Sequence, residues 1–369
     1  MGGTGSAGSF SGAWRYAALI FLVGACMVGG DDGADPAADS PLLVLPTFEA
    51  AMGERPLKWG WWSPDDRAWV PVLEDLYNRH LREPAVVGGD DGSEALSDVR
   101  IPRIIHQVWL GGDPLPAQFQ EWRATCAEKH PEWKMMLWTE TEAVALRDMV
   151  DPLAYQRAPN LGAKSDALRL EVVYRFGGLY LDTDFECLSS LEPLHQRLDF
   201  FAGLSNVGAI EISNGIFGAR KRHPLVKRLL TESREAESAL AKPGAAAQLN
   251  WIGMATIAAT GPGRFTRVVM DSLLNGLPDG EEVGAIAILP TNFFFPIPNS
   301  AVTATAAERA RLRSTSLHPE SLAVHHWAGS WLKQQMGLPV WEGAPVPSDE
   351  TFRERQAERK RIPAKTQEL

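Results

Sequence analysis

Lys164–Leu188 reads KSDALRLEVVYRFGGLYLDTDFECL, and this stretch decides the fold. Leu168, Val172 and Phe176 recur at helical spacing. They predict a helix over Ser165–Phe176, with Ser165 as its N-cap and Gly177-Gly178 as its stop. Leu179–Phe185 reads as a strand, which puts Asp182 and Asp184 two apart, on one face, at its carboxyl end. Two carboxylates so placed can hold a divalent cation directly or through water, and Mg²⁺ or Mn²⁺ pairs such carboxylates with substrate phosphates. Asp166 and Arg169 are three apart and share a helix face, which the Gly-Gly turn brings towards Asp182. Each feature also has a plainer reading. Asp-x-Asp recurs in solvated loops, and an exposed helical ion pair contributes only about 0.3–0.5 kcal/mol.

Working outward, strands and helices alternate. Strands are expected at Ile104–Leu110, Lys134–Trp138, Phe200–Leu204, Gly215–Ala219, Ala285–Leu289 and Leu322–Trp327. Helices are expected at Val70–Leu81, Phe119–Glu128, Pro224–Ala241 and Gln248–Ala259. The alternation predicts an α/β sandwich with a mainly parallel sheet, whose ligand sites lie at the carboxyl ends of the strands. The main domain runs over 101–338, after a signal peptide or signal-anchor (1–30) and a stem with an N-terminal helical region (31–100). A C-terminal tail covers 339–369. The uncharged run Tyr16–Gly30 is short for a spanning helix, and Val23-Gly24-Ala25-Cys26 resembles a bacterial lipoprotein cleavage box. Each targeting reading sends the chain to a secretory or extracytoplasmic compartment. A Golgi-type, single-pass membrane location with a lumenal domain is expected, with a secreted protein or a lipoprotein as the alternative.

The 369-residue chain is 45% hydrophobic and 22% charged, which excludes disorder throughout. Its net charge of −10 argues against a nucleic-acid binder. Cys26 lies in the N-terminal run, so Cys126 and Cys187 alone remain for the folded part. That count excludes a disulfide framework and a multi-cysteine zinc site. Thirteen tryptophans suit core packing first and sugar or base stacking second.

Four pieces in order, Ile101–Gly112 (IPRIIHQVWLGG), Ser165–Arg169 (SDALR), Tyr174–Asp184 (YRFGGLYLDTD) and His325–Trp331 (HHWAGSW), carry a family resemblance. The chain resembles glycosyltransferase family 32, the glycosyltransferases with a DXD sugar-binding motif. These include fungal α-mannosyltransferases, and the glucosylating domains of large clostridial toxins share a related core. The resemblance implies a GT-A-like nucleotide-sugar-binding sandwich and a metal-dependent, retaining hexosyltransferase. It favours GDP-mannose as donor, with UDP-glucose, UDP-galactose or UDP-N-acetylglucosamine behind it, and a glycan, glycoprotein or glycolipid acceptor. It places Trp109 against the nucleotide base and Asp166 and Arg169 on the donor sugar. It gives Asp182 to ribose, sugar or metal, Asp184 to the metal, and Asn214 to the acceptor side. Tyr180 is expected to line the site. His325 is preferred to His326 as a third metal ligand, for Mn²⁺ or Mg²⁺. Ser330 and Trp331 match a flexible loop that closes on the diphosphate, with a spacing that differs from the toxins. Thr260-Gly261-Pro262 looks family-like, although a turn explains it equally well.

Two other classes compete. A haloacid-dehalogenase-type phosphatase also places Asp-x-Asp after a hydrophobic strand, but it wants Thr or Val where Glu186 stands. A non-catalytic sugar-nucleotide or glycan binder would keep the same polar residues.

Overall fold

The computed structural model describes residues 45–53, 64–83, 100–232, 252–299, 301 and 304–335. The strands follow as β1 (Ile104–Val108), β2 (Lys134–Trp138), β3 (Gly178–Leu181), β4 (Phe185–Cys187), β5 (Phe200–Leu204), β6 (Ile212–Ala219), β7 (Ile286–Leu289) and β8 (Ala323–His325). Six of them form one sheet in the order β2-β1-β3-β6-β5-β7. The pairs β1–β2, β1–β3 and β5–β7 are parallel, whereas β6 runs against both β3 and β5. The expected mostly parallel sheet is therefore present, with one reversed strand inside it. The Tyr16–Gly30 segment lies outside the described residues. Among the described residues no helix is long and apolar enough to cross a membrane.

The helix Leu161–Phe176 packs on this sheet through Leu168, Val172 and Val173, all fully buried. It starts four residues before the expected Ser165. Asn160 caps it, its side chain accepting from Ala163 N at 2.9 Å. Asn is as good a cap as Ser, and Ser165 is already engaged inside the helix, its Oγ accepting from Arg169 Nη2 at 3.1 Å. Gly177 ends the helix at φ +67°, and a Cβ there would stand 2.7 Å from both Lys221 N and Pro102 Cδ. No other residue satisfies both the turn and that close approach.

The expected strand Leu179–Phe185 is split. β3 stops at Leu181, and the residues from Asp182 to Asp184 turn the chain out of the sheet. Asp182 N still donates to Gly215 O at 2.8 Å, the last link to β6, and Phe185 N closes the turn on Asp182 O at 3.2 Å. Aspartate is poor in strands and good in turns, so the two carboxylates break the strand that carries them. The chain then enters β4, which pairs antiparallel with β8 as a separate ribbon, Phe185 opposite His325. That ribbon carries His325 to the aspartates.

Elsewhere the boundaries shift modestly. Observed helices include Ala117–Lys129, Pro224–Thr231 and Ile252–Ala259, and the remainder of the expected Pro224–Ala241 lies outside the described residues. Helices Pro262–Asn275, Ala306–Ser316 and Ser330–Gln335 were not foreseen. Segments 45–53 and 64–83 pack on the sheet domain: Tyr77 is fully buried, its ring edge-on to Phe293 at 6.0 Å. Thr291 Oγ1 donates to Met52 O at 2.8 Å.

Two cysteines do not make a framework, but they do make a staple. Cys126 is bonded to Cys187, tying helix Ala117–Lys129 to β4 across 61 residues of sequence. Closing a loop of that size restricts the unfolded chain and is expected to stabilise the fold by about 2–4 kcal/mol. The double variant Cys126→Ser, Cys187→Ser should therefore lower the urea midpoint by a corresponding amount. An unchanged midpoint would contradict the assignment.

Candidate functional site

A cavity of about 480 Å³ opens at the carboxyl ends of β1, β3 and β5, within the range of small-ligand sites. Because β6 runs the other way, it presents its amino end, Ser213 to Gly215, at the same edge. Trp109, Asp166, Arg169, Asp182, Asp184, Asn214, His325, Ser330 and Trp331 all line the cavity. Tyr180 does not. It is fully buried behind Asp182, to whose Oδ1 its hydroxyl donates at 2.7 Å. Asp182 and Tyr180 share a strand face, but the ring lies under Arg169, whose guanidinium is 4.5 Å from its centroid.

Ligand atoms of Asp182, Asp184 and His325 lie within 4.8 Å of one another. His325 Nε2 is 3.2 Å from Asp184 Oδ1. The other oxygen of Asp184, Oδ2, accepts from Ala328 N at 2.8 Å, which fixes the carboxylate with Oδ1 towards the imidazole. Burial alone would raise the Asp184 carboxyl. The His325 imidazole and the Ala328 N–H outweigh it and hold the group down at about 2. Burial likewise opposes charge on His325, yet the Asp184 carboxylate raises it. Two carboxylate oxygens and an imidazole nitrogen, converging on the cavity with Asp182 open to it, are a donor set that fits Mn²⁺ or Mg²⁺. His325 Nδ1 is buried without a hydrogen-bond partner among the described residues, and the ring is held by packing against Phe185, Phe295 and Trp327.

The choice between the two histidines follows from strand alternation. His326 points the other way, its Nε2 3.0 Å from Glu186 Oε2 and its ring stacked on Trp122 at 4.1 Å. Glu186 in turn takes Arg313 Nε at 2.9 Å and Arg313 Nη2 as a fork. This network ties β4 and β8 behind the aspartates.

Arg169 is the hub beside Asp182. It is buried, 3.3 Å from Asp166 Oδ1 and 3.2 Å from Asp182 Oδ1. Its Nη1 donates to Asn214 O at 2.8 Å. Asp166 is held from two more directions: Asn214 Nδ2 donates to Oδ1 at 2.8 Å and Thr260 Oγ1 to Oδ2 at 2.7 Å. Burial raises the Asp182 carboxyl and Arg169 only partly offsets it. Burial also opposes charge on Arg169, but Asp182, Tyr180 and Asp166 together raise its pKa. Thr260, in the Thr260-Gly261-Pro262 that looks family-like or a plain turn by sequence, is thus a positioning residue for Asp166.

Trp109 walls one side of the cavity, buried, with Nε1 donating to Asp113 O at 2.7 Å and its ring edge-on to Phe119. Ser330 and Trp331, expected in a loop, open the short helix Ser330–Gln335. The Trp331 ring rests on Gly162, where a Cβ would lie 2.7 Å from it. Gly215 is equally constrained. A Cβ there would lie 2.6 Å from Asp182 Oδ2. Gly215→Ala should push the Asp182 carboxylate aside and lower any turnover at this site by about 10–100-fold. A steady-state rate within twofold of wild type would contradict that geometry.

Residues 116–201 match the family model described as glycosyltransferase sugar-binding region containing DXD motif. That stretch contains Asp166, Arg169, Asp182 and Asp184, and it bears out the resemblance read from the sequence. Mannosyl phosphorylinositol ceramide synthase SUR1 of Saccharomyces cerevisiae is 32% identical over 133 residues, 35% of this chain and 34% of the relative. Inositol phosphoceramide mannosyltransferase 1 of Schizosaccharomyces pombe is 29% identical over 144 residues, 37% of this chain and 44% of the relative. The matches thus span between a third and a half of these curated relatives. Among solved structures, the PaToxG glycosyltransferase aligns with a TM-score of 0.37 at 15% identity, over 49% of this chain and 81% of that one, a likeness too slight to carry an argument.

Proposed function

We propose that this chain, whose residues 116–201 match the DXD-bearing sugar-binding region of glycosyltransferases, is a metal-dependent retaining hexosyltransferase. In this reading it moves mannose from GDP-mannose to a hydroxyl of a glycan or glycolipid. The observation that carries the reading is the convergence of Asp182, Asp184 and His325 on one cavity wall, within 4.8 Å. These residues would hold Mn²⁺ or Mg²⁺, which when bound supplies charge neutralisation for a departing diphosphate. Asp166 and Arg169 orient the donor sugar, each already fixed by two or more hydrogen bonds or ion pairs. Trp109 offers an indole face for the base, and Ser330 and Trp331 cover the diphosphate side. The acceptor oxygen bonds to the anomeric carbon as the bond from that carbon to the diphosphate oxygen breaks. The hydroxyl proton passes to the leaving diphosphate. Retention follows from approach on the face that the diphosphate leaves.

The domain assignment accompanies this reading: targeting segment 1–30, stem and helical region 31–100, catalytic domain 101–338 and tail 339–369. The Cys126–Cys187 bond supports a lumenal or extracytoplasmic location, since disulfides persist in oxidising compartments.

The test is a screen of GDP-mannose and the common UDP-sugars for nucleotide release, with and without Mn²⁺. Metal-dependent release of GDP names the mannose donor. Release of UDP instead would move the donor to glucose, galactose or N-acetylglucosamine. No release from any donor by folded protein would overturn the reading.

A further inference from the structure

Glu211 stands at the end of the turn between β5 and β6, on the wall of the same cavity, and the mechanism above leaves it unused. Its place is held firmly. Ser205 N donates to Glu211 O at 2.8 Å, and the Ser205 side chain hydrogen-bonds the carboxylate. Thr266 Oγ1 accepts from the neighbouring Ile212 N at 2.8 Å. Across the turn, Asn206 Nδ2 donates to Phe295 O at 3.0 Å and Asn299 N donates to Asn206 O at 2.9 Å.

Glu211 is four residues before Gly215, the residue packed against Asp182. The two Cα atoms are therefore no more than about 14 Å apart. Ser213 lines the wall between them. The cavity thus runs from the aspartates along the amino end of β6 to Glu211. Arg169 and His325 are the basic residues among the described residues that line it, and both are engaged by Asp166, Asp182 and Asp184. Among the described residues no cation at the Glu211 end offsets its carboxylate, and burial pushes that carboxyl up to about 6 against the Ser205 hydrogen bond. Ser205, Ser213 and Asn299 complete this end with uncharged polar groups. A wall of this kind accepts hydrogen bonds from hydroxyls and repels a phosphate.

We infer that Glu211, with Ser205, binds the acceptor. It hydrogen-bonds hydroxyls of an uncharged sugar or cyclitol ring and disfavours a ring that carries phosphate beside the reacting hydroxyl. The inference rests on the glycosyl-transfer reading above. It is tested on the full chain with Mn²⁺ and the donor that the screen identifies. Methyl α-D-mannopyranoside and its 6-phosphate, then myo-inositol and its 1-phosphate, serve as paired acceptor probes.

Wild type should favour the neutral member of at least one pair by about tenfold or more in kcat/KM. Glu211→Gln, which keeps the shape and removes the charge, should narrow that ratio to within about threefold. Glu211→Asp should retain it, and it covers the case in which the Gln variant fails to fold. Equal or better use of the phosphorylated probes by wild type would overturn the inference. So would an unchanged ratio in Glu211→Gln, or donor hydrolysis that no probe accelerates. Absence of any metal-dependent nucleotide release by wild type would strike the glycosyl-transfer reading itself, and this inference with it.

Discussion

Asp184→Asn is expected to remove metal-dependent donor turnover, by on the order of 10²–10³-fold or more. The substitution is chosen because it spares the fold. An asparagine oxygen can still accept from Ala328 N, now 2.8 Å from Asp184 Oδ2, and the side-chain volume is unchanged. What disappears is the negative oxygen that faces His325 Nε2 at 3.2 Å. With it goes the charge that makes the Asp182, Asp184 and His325 cluster a cation site rather than a neutral hydrogen-bonded group. Two readouts check this: the rate of nucleotide release, and Mn²⁺ binding followed by electron paramagnetic resonance. Both should fall. Wild-type values for both in a folded variant would remove Asp184 from the metal shell.

Arg169→Met carries the largest expected loss of stability, about 3–5 kcal/mol. Arg169 is buried and joins three groups that sequence places far apart: Asp166, Asp182 and the carbonyl of Asn214. Methionine fills much of the volume but leaves two carboxylates without their cation and a buried carbonyl without its donor. Asp182 opens to the cavity, with 30% of its side chain exposed, so water can relieve part of the loss. The lower end of the range is therefore the better expectation. Arg169→Lys should fall between, because one ammonium cannot reach all three partners that the planar guanidinium spans. Urea unfolding of the three proteins measures this directly. A shift below about 1 kcal/mol for Arg169→Met would show that the hub is not structural.

The legible part of this molecule was its local part. Leu168, Val172 and Phe176 at helical spacing, the Gly177-Gly178 stop and the β-rich run after it all lie within one short segment. There, neighbouring residues decide conformation. For the same reason Asp166, Arg169, Asp182 and Asp184 group together by sequence alone. The strand's end was misplaced, because hydrophobic content extended it through Asp182 to Phe185, whereas the aspartates turn the chain out of the sheet. Ser165 was misplaced as a cap, because a side chain that prefers to cap a helix can also bond within one. Here the guanidinium of Arg169 claims it.

Long-range features left fainter traces. His325 and His326 are equal by residue type, and only the family resemblance favours His325. The pairing of β4 with β8 across more than 130 residues turns one to Asp184 and the other to Glu186. Arg313 on Glu186 and Glu211 at the far end of the cavity had no local signature, and Thr260 on Asp166 showed only as part of a family-like Thr260-Gly261-Pro262 that a turn explains equally well. Each is an ordinary residue made significant by what the sheet brings beside it. Tyr180 shows the converse: it is expected to line the site, but its ring is fully buried beneath Arg169 and only its hydroxyl reaches Asp182.

In the proposed reaction Asp182, Asp184 and His325 hold a cation that in turn holds a sugar nucleotide. Calorimetric titration of GDP-mannose and UDP-glucose into the full chain, with Mn²⁺ and then with a chelator, tests it most directly. One of the two should bind in Mn²⁺ and lose at least about tenfold in affinity when the metal is removed, a difference of about 1.4 kcal/mol. Equal affinity with and without metal, or no binding in either condition by folded protein, would contradict the account.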